Sequence, residues 1–370
     1  MTRARSSLAG RHVGLVLGTS TGGIGRHVHL LVDGLVARDV RVTVCAPAST
    51  DATFGYAAAG AAVVPVEIGK GWRFADVGMA RQLRALLPTF DVVHAHGLRP
   101  GFAAATARRR ASPPLVVTWH NAVLGSPARR RVLARVERLT AQRADVVIGA
   151  SQDLVDRAVA LGARDARMCC LPAPAPPAAI RPREEVRAEL GVTDEPLVLA
   201  VGRLVPQKRL DVLVEAAARL AADGVRATVA IAGDGRLRPA LERQVAARRA
   251  PVRLLGHRDD VADLLAAADV VATPSAWEAR AFIVQEAMRS GCPVVVTAVG
   301  GLPALVGDAG LVVPPQDPAA LAGALAEVLA DPARAAALGA AGQRLAATWP
   351  SEQEVVDTTA GIYRELLDRR

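Results

Sequence analysis

The sequence predicts an α/β protein made of two doubly wound domains, each a parallel sheet with helices on both faces. Short apolar runs that end in glycine, histidine or proline alternate with amphipathic segments along nearly the whole chain. This alternation is typical of strand–helix–strand units. It stops once, at 171–182, where five of twelve residues are proline and a stiff connector is expected. We therefore expect domains at 1–175 and 183–348, facing a central cleft.

The composition excludes several classes of protein. The chain has 370 residues and is 51% hydrophobic, which is enough for two domains of ordinary size. Aromatic residues make up only 3%, so few rings could stack on bases and no nucleic-acid partner is expected. No apolar stretch is long enough to span a bilayer. The four cysteines form no Cys-x-x-Cys pair, so we expect free, buried thiols in a soluble, cytoplasmic protein.

The net charge of +9 is unevenly distributed. Residues 1–180 contain 23 Lys and Arg against 11 Asp and Glu, whereas residues 181–370 contain 22 against 25. A basic first half is compatible with an anionic acceptor or with peripheral contact at the inner face of a membrane. A general preference for arginine explains the same bias equally well.

A glycine-rich loop follows the first predicted strand, 13–17. Its residues are Gly22, Gly23, Ile24 and Gly25, and a helix is expected from about Arg26 to Arg38. Glycines here let the backbone approach a phosphate or a sugar closely. The third glycine of the dinucleotide fingerprint is absent and the next strand ends without an acidic residue, so an NAD-binding site is disfavoured.

Two further strands of the first half, 91–94 and 115–119, lead into histidines. Because the carboxyl ends of parallel strands line the ligand-binding crevice, His96 and His120 are placed for ligand contact. A structural role is the alternative, and it is weaker for His120 than for His96. The other predicted strands of this half are 41–46, 62–66 and 145–151.

A basic amphipathic helix is predicted at 127–144. Arg129, Arg130, Arg131, Arg135 and Arg138 alternate with apolar residues at helical spacing. Such a helix could contact anionic lipid. We favour an ordinary packed helix with a solvated arginine face, because no aromatic side chain is available to insert into a bilayer.

The second half repeats the pattern. Strands are predicted at 197–201, 227–232, 252–255, 269–274, 294–297 and 310–313. Helices are predicted at 210–223, after Arg258 up to Ala268, at 319–329 and at 349–370, the last broken near Pro350. Arg203 and Lys208 flank the loop after the first of these strands, as two cations that could hold a diphosphate. Gly233-Asp234-Gly235 and His257 follow the next two strands, again at a crevice edge.

Two carboxylates stand eight positions apart near the end of this half. Glu278 lies in the loop after strand 269–274, and Glu286 lies in a short helix that begins near Phe282 and ends at Gly291. The helix N-terminus directs partial positive charge and free N–H groups at an anion. N–H groups for phosphate and carboxylates for hydroxyls suit a polyhydroxylated phosphate ligand.

Taken in order, these motifs resemble glycosyltransferase family 4, whose members are retaining enzymes of the GT-B fold that use nucleotide-sugar donors. The resemblance covers nearly the whole chain and implies two Rossmann-like domains, with the last helix, about 350–370, packing back on the first. It also implies a metal-independent enzyme without a cofactor, since the sequence has no Asp-x-Asp triplet. The donor would be a nucleotide sugar, for example a UDP- or GDP-sugar, that carries a hexose-type sugar, and the sequence leaves its base open. The basic first half favours an anionic or lipid-linked acceptor.

The resemblance assigns roles to individual residues. Arg203 and Lys208 would hold the donor diphosphate, Glu286 the ribose and Glu278 the transferred sugar. His120 would lie beside that sugar and His96 on the acceptor side. The remaining donor-binding residues are Gly22, Gly23, Gly25, Gly233, Asp234, His257, Arg280, Ala281 and Phe282.

One departure from the family pattern leaves alternatives open. Where the family commonly has Glu-Gly-Phe-Gly, this chain has Glu278-Ala279-Arg280-Ala281. The added Cβ atoms could alter the donor or the loop, and Arg280 could add a phosphate contact. A non-catalytic nucleotide-sugar or glycan-binding protein and a nucleotide-sugar epimerase are the alternative functions.

Overall fold

A computed structural model describes residues 7–20, 22–67, 75–169 and 178–370. The chain divides into two compact units. Unit 1 contains Met1–Leu171 and Pro350–Arg370, and unit 2 contains Pro172–Trp349. Most of the predicted proline connector lies outside the described residues.

Unit 1 is built on a seven-stranded parallel sheet. Its strands are β1 (His12–Leu17), β2 (Arg41–Ala46), β3 (Ala62–Pro65), β4 (Val92–His96), β5 (Leu115–Trp119), β6 (Val146–Gly149) and β7 (Ala166–Met168). Their order across the sheet is β3-β2-β1-β4-β5-β6-β7. The chain therefore passes from β1 through β2 to β3 at one edge of the sheet. It then returns to the centre at β4 and continues to β7 at the other edge.

The helices of unit 1 connect these strands, and one comes from the end of the chain. They are α1 (Gly23–Val36), α2 (Ala48–Phe54), α3 (Ala75–Leu86), α4 (Leu98–Ala107), α5 (Pro127–Arg143), α6 (Gln152–Ala160) and α15 (Glu352–Asp368). Helix α15 begins with a capping box between Ser351 and Glu354. Val356 of α15 packs against α1 at Gly34, where a Cβ would approach Val356 to 2.5 Å. Gly34 thus permits close contact between the two helices.

Unit 2 is built on a six-stranded parallel sheet. Its strands are β8 (Leu197–Val201), β9 (Thr228–Ala232), β10 (Val252–Gly256), β11 (Val270–Thr273), β12 (Val294–Thr297) and β13 (Leu311–Val313). Their order is β10-β9-β8-β11-β12-β13. The helices are α7 (Arg183–Glu189), α8 (Leu210–Ala222), α9 (Arg238–Arg248), α10 (Val261–Ala267), α11 (Phe282–Ser290), α12 (Leu302–Val306), α13 (Pro318–Ala330) and α14 (Pro332–Ala346).

Alternate residues of the central strand β8 enter two different cores. Leu197 and Leu199 belong to the core beneath α10 and α11. Val198 and Ala200 belong to the core beneath α8 and α13. Because successive strand residues point to opposite faces, a wholly apolar strand requires helices on both sides. The predicted α/β architecture with two doubly wound parallel sheets is confirmed.

Some predicted boundaries are wrong. Helix α1 begins at Gly23, three residues before the predicted start, so Gly23, Ile24 and Gly25 belong to its first turn rather than to a loop. The backbone N–H of Gly25 donates to Ser20 Oγ at 3.0 Å, which satisfies one of the free donors of a helix start. Cys45, Cys169 and Cys292 are buried and free, and Cys170 lies outside the described residues.

Candidate active site

The predicted donor residues of unit 2 lie at the carboxyl edge of its sheet. The connections after β8, β9, β10 and β11 carry Arg203 with Lys208, Gly233 with Asp234, His257, and Glu278 respectively. Strands β8 and β11 are neighbours at the position where the order of connection reverses. In doubly wound sheets this reversal opens a crevice in which ligands bind. The connections that carry Lys208 and Glu278 therefore flank the expected ligand position.

Lys208 and Glu278 are in direct contact. Lys208 Nζ lies 2.9 Å from Glu278 Oε1, with 20% and 12% of the two side chains exposed. Ser275 Oγ donates to the same oxygen at 3.0 Å. The amide of Gln207 donates to the backbone oxygen of Trp277 at 2.9 Å. The two connections are thus held together by an ion pair and by hydrogen bonds, and the pair remains partly open to solvent.

The connection after β12 supports the Glu278 backbone from the other side. The N–H of Gly301 donates to the carbonyl of Glu278 at 2.9 Å. A Cβ at Gly300, whose φ is +52°, would collide with that same carbonyl oxygen. Thr297 Oγ1 donates to the carbonyl of Ser275 at 2.7 Å. Glu278 is therefore held by contacts from the connections after β8, β11 and β12, whose strands are neighbours in the sheet. A residue other than glycine would not fit at position 300.

The loop after β9 packs directly on the loop after β8. A Cβ at Gly233, with φ +138°, would collide with the carbonyl oxygen of Gly202, and one at Gly235 would lie 2.6 Å from that of Leu204. The N–H of Leu204 donates to the carbonyl of Asp234 at 2.9 Å. These glycines therefore set the shape of the loop that carries Arg203 and Lys208.

The alanines that replace the family's glycines point into the protein. Ala279 and Ala281 are 7% and 4% exposed, and Ala281 belongs to the core cluster around α11. The guanidinium of Arg280 lies over the ring of Trp349, 5.2 Å from its centroid. The close backbone approach to the Glu278 carbonyl is made by Gly300. The departure is thus accommodated by burial of the two methyl groups.

The other predicted residues of unit 2 occupy more open positions. Arg203 and Asp234 are exposed. His257 is 78% exposed and lies 3.1 Å from Asp259. Glu286 is half-buried on α11, whose first residue is Phe282. The ion pair of Lys208 with Glu278 brings two of the predicted residues of unit 2 into direct contact.

The carboxyl edge of unit 1 holds the predicted glycines and histidines. Here the order of connection reverses between β1 and β4. Gly22 is exposed, and a Cβ there would meet nothing within 4 Å. Gly25 is buried, and a Cβ there would collide with the ring of Phe54. Gly25 is therefore required for packing, while Gly22 is open to solvent.

Four buried histidines form a cluster at this edge. His27, His96 and His120 form a near-equilateral triangle, with ring centroids 5.5–5.6 Å apart. Nδ1 of His96 and Nε2 of His120 are hydrogen-bonded at 3.3 Å. The ring of His94 lies 4.1 Å from that of His96 and bonds Tyr363 Oη and Thr118 Oγ1, each at 2.6 Å. We call His27, His94, His96 and His120 the histidine cluster.

Burial keeps the histidine cluster neutral. Desolvation lowers the pKa of His27 to about 4. The pKa values of His94, His96 and His120 are also lowered well below the ordinary value, first by burial and then by the neighbouring imidazoles. His27 Nδ1, His96 Nε2 and His120 Nδ1 have no hydrogen-bond partner in the described structure. The cluster therefore contains neutral imidazoles with three unused ring nitrogens.

Several structural partners were not predicted from the sequence. His27 lies on α1, one turn after Gly23, and its place near the start of the first helix after β1 was an available signal. His94, Tyr363, Ser275 and Gly300 are brought to their partners by packing across the fold, which local pattern does not reveal. Within the described ranges, no three His, Cys, Asp or Glu side chains are arranged to hold a metal ion. No helix of the described residues is long and apolar enough to cross a membrane.

Two family profiles match the chain in succession. Residues 22–174 match a "glycosyl transferase 4-like domain", and residues 195–331 match "glycosyl transferases group 1". A D-inositol 3-phosphate glycosyltransferase of Xylanimonas cellulosilytica is 34% identical over 307 residues, which cover 76% of this chain and 73% of the relative. An alpha-D-kanosaminyltransferase of Streptomyces kanamyceticus is 34% identical over 190 residues, and this chain spans about half of its length (49%).

The fold is shared with solved structures at low sequence identity. HepE of Anabaena, crystallised with UDP, has a TM-score of 0.80 at 21% identity, over 96% of this chain and 100% of HepE. With these profiles and relatives, the chain belongs to the GT-B glycosyltransferases of family 4. It is accordingly a transferase.

Proposed function

We propose that the protein moves a hexose from a UDP- or GDP-sugar to an anionic or lipid-linked acceptor, with retention at the anomeric carbon and without a metal ion. The ion pair between Lys208 and Glu278, at the reversal point of the second sheet, carries this proposal. It places a cation and a carboxylate on neighbouring connections, next to the start of α11. The Lys208 cation suits a donor diphosphate, and the Glu278 carboxylate suits the hydroxyls of a sugar.

In this proposal, two cations compensate the charge that develops on the leaving diphosphate. The bond between the anomeric carbon and the diphosphate oxygen breaks, and the acceptor oxygen bonds to that carbon from the same face. The acceptor's proton passes to the leaving phosphate oxygen. Lys208, Arg203 and the N–H groups at the start of α11 would stabilise the negative charge. In this proposal Glu278 and Glu286 bind hydroxyls, and neither acts as a nucleophile. Retention is therefore explained by attack of the acceptor on the same face that the diphosphate leaves.

Each remaining role rests on the position of the residue. Glu278 would bind hydroxyls of the sugar and half-buried Glu286 those of the ribose. Neutral His120 would donate or accept one hydrogen bond at the sugar. Two relatives support these substrate classes. HepE was also solved with UDP-glucose, and the 34% identical relative is named for D-inositol 3-phosphate, a phosphorylated compound.

The test first identifies the donor and then removes the positive charge of Lys208. Thermal unfolding in the presence of UDP- and GDP-sugars identifies the donor, because a bound ligand stabilises the fold by mass action. Lys208→Met should then lower kcat with that donor by about 10²–10³-fold, since it removes one contact to the leaving group. Arg226→Met, which removes an exposed cation with no ion pair in the described structure, is the matched control.

Three outcomes would overturn the proposal. A product whose anomeric configuration is inverted, measured by NMR, would exclude the retaining route. Conversion of the donor sugar without any acceptor would indicate an epimerase. Binding of the donor without turnover under any acceptor would indicate a binding protein.

A further inference from the structure

Helix α15 brings one polar side chain into contact with the histidine cluster, although this helix comes from the far end of the sequence. Its buried residues recur at helical spacing and pack on the core of unit 1. Most of them are apolar, but Tyr363 is fully buried and carries a hydroxyl group. Tyr363 Oη lies 2.6 Å from Nδ1 of His94. A hydrogen bond thus connects α15 to the cluster.

The ring of His94 is held by a hydrogen bond on each of its two nitrogens. Nε2 lies 2.6 Å from Oγ1 of Thr118 in β5, so both ring nitrogens have hydroxyl partners. Burial lowers the pKa of His94 well below its ordinary value, so the ring is neutral and donates from one nitrogen only. One hydroxyl group therefore donates to the ring and the other accepts from it. Without the Tyr363 hydroxyl, one nitrogen would lose its partner and the ring would be held on one side only.

The orientation of His94 limits that of His96 and, through it, that of His120. Alternate residues of a strand share a face, and the ring centroids of His94 and His96 on β4 are 4.1 Å apart. At this separation one ring cannot turn without displacing the other, because protein interiors are close-packed. Nδ1 of His96 is hydrogen-bonded to Nε2 of His120 at 3.3 Å. Direct contacts therefore run from α15 to His120.

Stability alone does not require polar groups at these positions. When both partners of a buried hydrogen bond are replaced by apolar groups of the same shape, the free energy of unfolding can stay the same or rise. The core around Tyr363 is built mainly of Val and Leu side chains, with which an apolar pair would pack. A polar network whose members are bonded does something that an apolar pair does not, since it holds its side chains in one arrangement.

We infer that Tyr363 is a positioning residue for sugar transfer. Its hydroxyl group holds His94, and His94 and His96 hold the ring of His120 in the orientation in which it meets the sugar. Tyr363 is fully buried and acts only through these rings. The inference rests on the role proposed above for His120. It gives the C-terminal helix a part in the reaction in addition to its packing in unit 1.

The variant Tyr363→Phe removes one oxygen atom and keeps the ring that fills the core. It should lower kcat about 10-fold, because His120 loses its alignment with the sugar. The KM for the donor should change little, since the donor-binding residues of unit 2 are unaltered. The melting temperature should fall, because a buried nitrogen of His94 loses its partner. A purely structural Tyr363 would lower the melting temperature in the same way and leave the kcat of the folded protein unchanged, which would overturn the inference.

Thr359→Val is the matched control on the same helix. Thr359 is buried one turn before Tyr363, and its Oγ1 donates to the carbonyl of Val355 within α15. Valine has nearly the same shape and lacks the hydroxyl group, so this variant should keep the kcat of the unaltered protein. Equal loss of kcat in Tyr363→Phe and Thr359→Val would overturn the inference, because loosened packing of α15 would then explain both.

NMR of the imidazole groups separates this inference from the proposed function, because it needs no donor. With ¹⁵N-labelled histidine, Tyr363→Phe should change the ring nitrogen shifts of His94, His96 and His120, whereas Thr359→Val should leave those of His120 unchanged. Unchanged His120 shifts in Tyr363→Phe would overturn the inference even in a protein that transfers sugar. Absence of transfer by the unaltered protein would overturn the proposed function, and the His120 shifts would still show whether Tyr363 orients that ring.

Discussion

The role proposed for His120 at the sugar makes His96 a residue that positions it. Their ring nitrogens are bonded at 3.3 Å, and this contact orients the ring of His120 and couples the tautomers of the two rings. His96→Ala should therefore lower kcat by up to about 10²-fold with little change in KM, since a misplaced group loses its alignment with the substrate. Steady-state kinetics with the identified donor measures both constants.

A conservative substitution distinguishes positioning from packing. The side-chain amide of His96→Asn can occupy the position of Nδ1 and bond His120, so it should restore part of the lost kcat. His96→Leu fills a similar volume without a polar atom and should not. Equal activity of the Asn and Leu variants would show that His96 only fills space.

Among individual residues, the sequence predicted those that come shortly after the end of a strand. His120, Lys208 and Glu278 each stand a few residues after a short apolar run, and parallel sheets bring such positions to one edge. The contact between Lys208 and Glu278 could not be predicted, because it depends on β8 and β11 being neighbours although they are separated by two strands in sequence. The exposure of His257 likewise depends on β10 lying at the end of the sheet.

The connections between elements are shaped by glycines, and Gly233 is the sharpest case. Gly233→Ala places a methyl group against the carbonyl oxygen of Gly202, and neither backbone can move freely. We expect a loss of about 2–4 kcal/mol in unfolding free energy, combining steric overlap with a positive φ. The loop that carries Lys208 should shift, so binding of the donor should weaken as well. Urea unfolding and titration of the donor measure the two effects.

Helix α13 supplies a matched glycine substitution. Gly323 lies within α13 and a Cβ there would meet nothing within 4 Å. Gly323→Ala should stabilise unit 2 by about 0.5–1 kcal/mol, because alanine favours the helix. A destabilisation of similar size in both variants would contradict the steric argument for Gly233.

Element boundaries were predicted less well than element types. Periodicity identified the strands on either side of Glu278 and the cap at Gly291, whose φ is +78°. The start of α1 was misplaced because glycine is a poor helix former. In the structure, contacts with Ser20 and Phe54 hold Gly25 in the first turn of the helix. Helix α14 was not predicted, since its apolar residues are mostly alanines and give little periodicity. Its start is marked by Asp331, which caps Arg334 N–H.

At the scale of the whole molecule, the histidine cluster makes stability depend on pH. Four imidazoles in unit 1 are buried and neutral, with lowered pKa values. In the unfolded chain a histidine takes up a proton below pH ~6.5. Folding must then release that proton, so the folded state loses stability as the pH falls through 6.5. For His27 the loss continues to its folded pKa of about 4.

The size of this loss can be measured at one histidine. With a pKa of about 4 in the folded state, His27 alone should cost roughly 2 kcal/mol at pH 5 relative to pH 7. His27→Gln removes that proton uptake and should lose correspondingly less stability over the same interval. Hydrogen exchange of amides in β4 and β5 reports the opening free energy of unit 1 in both proteins. Between pH 7 and 8 unfolded histidines are largely neutral. The opening free energies of the unaltered protein and of His27→Gln should therefore change with pH by the same amount over that interval. Equal losses between pH 6.5 and 5 would mean that the buried site of His27 admits a proton without cost.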